Sequence, residues 1–96
     1  MDFAFYRNFI TVAETGNLSA AAKRLGIVQP ALSAQMKAIE RNYGVQLFKM
    51  QRGKRHIELT EAGETFLQQA RQLCNTEDDI SLRMQAFSRR AVGTLR

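Results

Sequence analysis

Phe3, Tyr6, Phe9, Ile10 and Ala13 recur at helical spacing, which predicts a first helix over residues 3–14 with an aromatic stripe turned toward a core. Gly16-Asn17 breaks that pattern. Ser19 then stands where an N-cap belongs, and residues 20–25 predict a second helix. Ala20, Ala21 and Ala22 keep it thin, so that another helix can cross it closely. Gly26 after Leu25 reads as a left-handed helix end. A third helix is predicted to begin at Pro30, since proline suits a first helical position and pushes Gln29 toward extended backbone. At about 100° per residue, Leu32, Met36, Ile39 and Tyr43 share one side of this helix. Pro30, Ala34, Lys37 and Arg41 share the other, flanked by Ser33, and Gly44 ends the helix.

Beyond Gly44 the period changes. Val45–Lys49 and His56–Leu59 are short β-compatible pieces around Met50-Gln-Arg-Gly-Lys-Arg55, which predicts a β-hairpin with a basic, glycine-containing tip. Thr60 reads as the cap of a final helix reaching about Arg90, with Glu61 and Glu64 near its positive end. In that helix Phe66, Ala70, Leu73, Glu77, Ile80, Met84, Phe87 and Ala91 alternate four and three apart, a heptad seam with one polar interruption at Glu77. A single helix cannot bury such a seam. It predicts a dimer interface formed by Phe66, Ala70, Leu73, Ile80, Met84 and Phe87. In the alternative, the first two turns pack on the chain's own domain and the rest leans on another domain. Val92-Gly-Thr-Leu-Arg96 changes character, as if a strand were starting.

The fold class expected is therefore mainly α: a winged helix-turn-helix of three helices and a short β-hairpin wing, followed by a long dimerising linker helix. The division expected is 1–59 for the winged domain, 60–91 for the linker helix and 92–96 for a hinge. Ninety-six residues with 45% apolar and 24% charged content suit one small globular domain. There is no apolar run near ~18 residues and no basic-then-apolar leader, so neither a membrane span nor a secretion signal is expected. The one cysteine, Cys74, excludes an internal disulfide and fits a reducing cytoplasm.

Charge adds direction. The net charge is +5, and residues 23–55 hold eight basic residues (Lys23, Arg24, Lys37, Arg41, Lys49, Arg52, Lys54, Arg55) against one acid, Glu40. The remainder of the chain is slightly acidic, so the excess marks one polyanion-binding face. Ser19–Gly44, two helices joined by a tight turn, has the layout of a helix-turn-helix, whose second helix can enter the DNA major groove. Arg52, Lys54 and Arg55 at the wing tip then suit phosphates or a neighbouring minor groove, or else form a solvated charged turn. A module that binds protein rather than DNA shares this fold, and the localised charge speaks for DNA. Catalysis finds little support. His56, the only histidine, lies in the wing; Cys74 sits beside Leu73 where burial is the default; Glu77-Asp78-Asp79 is a surface acidic run.

Several short stretches together resemble the N-terminal DNA-binding region of LysR-type transcriptional regulators. They are Phe9-Ile-Thr-Val-Ala-Glu-Thr-Gly16, Ser19-Ala-Ala-Ala-Lys-Arg-Leu25, Gln29-Pro-Ala-Leu-Ser33, Gln35, Glu40, Gly44-Val-Gln-Leu-Phe48 and Leu59-Thr-Glu-Ala-Gly63. Their order and spacing carry the resemblance over essentially the whole chain, and Val92–Arg96 resembles the hinge leading to the family's effector-binding domain.

The resemblance implies sequence-specific binding of double-stranded promoter DNA as a homodimer through the linker helix, with tetramers at full length. It also implies a chain amounting to roughly the first third of a bacterial regulator. No cofactor is implied in this chain; a small-molecule coinducer is implied for the effector domain beyond it. Carried across position by position, Gln29, Pro30 and Ser33 match residues that touch bases or phosphates. Glutamine can bond two edges of adenine, and Pro30 or the Ala31 methyl can pack on a thymine methyl. Lys37 and the wing cations supply phosphate charge. Gln29 also reads as a helix-capping residue, Ser33 also as the donor of a local helix bond, and Arg41 as phosphate-facing or solvated. The sequence departs from the family pattern at Val28, where serine or threonine is usual, and at Ala34, where arginine or lysine is usual. The stretch between Phe48 and Leu59 is also about two residues longer than the common form, judged against the wing geometry of such domains.

Overall fold

The structure is a computed structural model and describes residues 1–49 and 56–94, without the side chains of residues 90–94. Four helices follow one another: α1 (Ala4–Thr15), α2 (Leu18–Leu25), α3 (Gln29–Tyr43) and α4 (Glu61–Thr94). Phe9, Val12, Leu32, Ile39 and Leu47 are fully buried where α1, α2, α3 and the segment after α3 meet. The architecture is mainly helical, a winged helix-turn-helix with a linker helix.

The aromatic stripe of α1 divides between two neighbours. Phe9 and Val12 face the core shared with α2 and α3, and Phe5 packs against it. Tyr6 lies to one side and stacks on Phe66 of α4, with ring centroids 5.7 Å apart. Val12 was absent from the predicted stripe because the larger aromatic residues around it set the periodicity. Gly16, φ 68°, ends α1 with its N–H on the Val12 carbonyl.

The second helix starts earlier than expected. Asn17, not Ser19, is its N-cap: Asn17 is extended and its side chain accepts from the Ala20 amide at 2.9 Å. Asparagine caps at least as well as serine, and the break at Gly16 delivers the chain to Asn17 first. Ser19 therefore sits in the first turn, exposed, with its hydroxyl free for another partner.

Ala21 and Ala22 are buried where the helices cross. The turn to α3 needs Gly26, φ 70°, whose N–H reaches the Ala22 and Lys23 carbonyls while the Ile27 amide also closes on Ala22. The extended residue before α3 is Val28 (ψ 146°), not Gln29; the Ala31 and Leu32 amides bond to its carbonyl and close the first turn one residue early. Pro30 thus occupies the second helical position, still among the donors that no helix bond requires.

The hairpin arms make one antiparallel bridge, Phe48 to Leu59, rather than two strands among the described residues. Lys49 N–H to Glu58 C=O (2.9 Å) and Thr60 N–H to Leu47 C=O (3.0 Å) flank it. Thr60 does cap α4, its hydroxyl oxygen accepting from the Gly63 amide at 3.0 Å while its proton goes to the Gln46 carbonyl at 2.7 Å. A Cβ at Gly63 would overlap the Leu47 carbonyl oxygen. The bare glycine is what lets α4 start against the base of the wing.

The 34 residues of α4 span about 51 Å at ~1.5 Å per residue. The helix continues to Thr94, past the expected end at 91, so residues 92–94 extend it where a hinge was expected. Its first half packs on α1. Phe66 lies edge-on to Phe9 at 4.7 Å and to Tyr43 at 5.6 Å, and Ala70 and Cys74 are buried. Burial pushes the Cys74 thiol pKa up, which disfavours the thiolate. Arg7 of α1 reaches Glu77 at 2.6 Å and Asp78 at 2.9 Å, with its guanidinium over the Phe3 ring. The polar interruption of the seam is thus one end of a clamp between α1 and α4.

Candidate nucleic-acid interface

The core face of α3 sets its outer face. Leu32, Met36 and Ile39 are buried, so Pro30, Ala34, Lys37 and Arg41, half a turn away, are exposed. Tyr43 belongs to the inner row but is 49% exposed; it closes the row by hydrogen bonding to Tyr6, 2.6 Å between hydroxyl oxygens. That bond, followed by burial, raises the Tyr6 pKa. Asn8 of α1 donates to Gln35 of α3 at 2.7 Å, a second tie that fixes the rotation of α3 on the domain.

Gln29 and Ala31 are exposed with Pro30 at the N-terminal end of α3, and Ser33 is half-buried one turn further on. Gln29 does not cap its own helix: its Oε1 accepts from the Ser19 hydroxyl at 2.6 Å. Among the described residues no ion pair engages Lys23, Arg24, Lys37 or Arg41, which leaves their charge available to a polyanion. Lys49 differs, lying 3.7 Å from Glu58 across the bridge. Arg52, Lys54 and Arg55 lie outside the described residues.

Glu40, the lone acid of the basic third, proves to be a joint. Its carboxylate accepts from the Leu47 amide at 2.8 Å and the Phe48 amide at 3.3 Å, while its carbonyl takes the Gly44 and Val45 amides. One residue therefore ends α3 and anchors the first arm of the wing. Sequence reading missed this; the signal was a single acid conspicuous in a basic segment, four residues before a helix-ending glycine. His56 is exposed with its ring against Gly16, and the next amide, Ile57, bonds the Gly16 carbonyl at 2.8 Å. It docks the second arm of the wing to the end of α1. A cleft of about 200 Å³ between α3 and the wing arms is floored by Val12, Leu18, Met36, Phe48 and Ile57. Among the described residues no cluster of three His, Cys, Asp or Glu could hold a metal ion, and no helix is long and apolar enough to cross a membrane.

On α4 the expected interface residues separate into two groups. Phe66 and Ala70 are used inside the chain, and Ala70, 2% exposed, has no surface left to offer. Leu73, Ile80, Met84 and Phe87 are 41–58% exposed. At about 100° per residue they form a stripe turned roughly 90° from the Ala70–Cys74 face that meets α1.

Residues 4–64 match the family described as bacterial regulatory helix-turn-helix proteins, lysR family. The chain is 47% identical over 96 residues to the HTH-type transcriptional regulator ClcR of Pseudomonas putida, covering 100% of this chain and 32% of that protein. It is 44% identical over 95 residues to the regulator TcbR of Pseudomonas sp. strain P51, at 99% and 32% coverage. The chain thus spans about a third of the length of these relatives. Among solved structures, the CbnR_DBD–DNA complex superposes with a TM-score of 0.84 at 42% identity, covering 92% of this chain and 99% of that one. The BenM_DBD/catB site 1 DNA complex gives 0.85 at 32% identity, covering 92% and 97%.

Proposed function

The chain belongs to the lysR family of bacterial regulatory helix-turn-helix proteins, and from that premise we propose that it binds double-stranded promoter DNA sequence-specifically, as a homodimer. The observation that carries this reading is the exposed outer row of α3, with Gln29 at its N-terminal end and the exposed cations Lys37 and Arg41 along it. DNA complexes among the structural neighbours support it. In this reading Gln29, Pro30, Ala31 and Ser33 meet base edges or the adjoining phosphates, while Lys37, Arg52, Lys54 and Arg55 neutralise phosphates. Leu73, Ile80, Met84 and Phe87 form the dimer contact, which larger assemblies of a full-length regulator then build into tetramers. A small-molecule coinducer binds in the part of the longer relatives that this chain does not span. The chain itself acts without catalysis or cofactor, in the bacterial cytoplasm.

Two substitutions separate base reading from charge neutralisation. Gln29→Ala is expected to weaken binding to a selected duplex by about 1–3 kcal/mol, with little change on random duplex. Lys37→Ala should weaken both and reduce the salt slope of binding by about one. Titrations at several salt concentrations read both effects. Equal loss on the two duplexes for Gln29→Ala would remove Gln29 from base recognition.

A further inference from the structure

The hydroxyl of Ser19 lies 2.6 Å from Oε1 of Gln29, ten residues on in sequence. A carbonyl oxygen has no proton to give, so Ser19 donates. The hydroxyl is available because Asn17 already caps α2, accepting from Ala20. The turn at Gly26 brings the exposed first turn of α2 beside the exposed first turn of α3.

We infer that Ser19 is a positioning residue for sequence recognition, holding the Gln29 amide so that its Nε2 donors face the groove and select an acceptor edge, guanine O6/N7 or thymine O4. The inference rests on the proposal that Gln29 reads a base. Unrestrained, an exposed glutamine samples many rotamers and can turn its amide over, offering adenine the donor and acceptor pair that its N6 and N7 require. With Oε1 turned to Ser19, the oxygen points back along the protein and the two N–H groups are what remain outward. The amide's order also has no cost at the moment of binding, since the restraint exists before DNA arrives. Ser19 is thereby distinct from the phosphate-facing cations: it sets which base is preferred at one position, not how tightly all DNA is held.

The test is an affinity panel on a selected duplex in which each base pair is replaced in turn, measured for the parent chain, Gln29→Ala, Ser19→Ala, Ser19→Thr and the Ser19→Ala/Gln29→Ala pair. Gln29→Ala identifies the pair that Gln29 reads. At that pair the parent should prefer guanine or thymine on the contacted strand, and Ser19→Ala should lower the discrimination about tenfold or admit adenine. Ser19→Thr, which keeps a hydroxyl, should restore the preference, and the double variant should lose no more than Gln29→Ala alone. Alanine is the best helix former and leaves the Asn17 cap in place, so the variant in the first turn of α2 is expected to fold. If Gln29→Ala alters no base preference, the base-reading proposal fails and this inference with it. If Gln29→Ala does but Ser19→Ala does not, or the parent prefers adenine there, the inference alone is overturned. A uniform loss across the panel for Ser19→Ala would make it a phosphate contact and contradict the positioning role.

Discussion

Gly63→Ala is expected to destabilise the chain by about 3 kcal/mol, more than the same substitution at Gly16, Gly26 or Gly44. The added Cβ would overlap the Leu47 carbonyl oxygen and press on the Leu59 side chain. Neither can withdraw freely. The Leu47 carbonyl accepts from Thr60, Leu47 itself is buried, and its amide is held by Glu40. The overlap must therefore be relieved by moving α4 away from the wing, which also loosens the Thr60 cap on Gly63. Gly26→Ala provides the contrast: nothing lies within 4 Å of its Cβ, and the residue bears only the left-handed backbone, about 1–2 kcal/mol. Chemical denaturation of both variants compares the two costs. A Gly63→Ala variant no less stable than Gly26→Ala would show that the joint is looser than the geometry states.

On the proposed dimer, Leu73→Asp combined with Ile80→Asp is expected to shift the chain to a monomer. A carboxylate placed in an apolar contact either loses its hydration or protonates, and each route costs several kcal/mol. Both positions lie on the exposed stripe completed by Met84 and Phe87, about a quarter turn from the face that meets α1. Leu82 is more exposed, at 64%, yet falls on the far side of α4, so Leu82→Asp should leave the assembly unchanged. Sedimentation equilibrium distinguishes the three chains. A dimer that survives the double substitution, or is lost with Leu82→Asp, would contradict the assignment of the interface.

The parts of the fold that the sequence showed most plainly are those with a local cause. The three glycines at 16, 26 and 44 end α1, α2 and α3 because each takes a left-handed conformation that other residues resist. The inner row of α3 was legible because the buried positions repeat with the helix itself. The start of α2 was not: Asn17 and Ser19 are both competent caps two residues apart, and only the path of the chain leaving Gly16 chooses between them. The seam of α4 misled differently. Periodicity located one continuous apolar line, but the helix has two apolar flanks, and Cys74, off the line, is buried while Leu73, on it, is half exposed. Which flank meets the domain depends on α1 and on the reach of Arg7 across to Glu77, seventy residues away. The exposed row of α3 was legible for the same reason as its buried row. The Ser19–Gln29 bond at its edge was not, since nothing in the separate neighbourhoods of those residues announces it.

Recovery of bound sequences from a pool of random duplexes by the parent chain tests recognition through α3. A dimer reading DNA through α3 should enrich an inverted repeat with two-fold symmetry, each half-site containing a base pair whose preference disappears with Gln29→Ala. Binding without any enriched sequence, or an enriched site lacking symmetry, would contradict recognition by a dimer of reading helices.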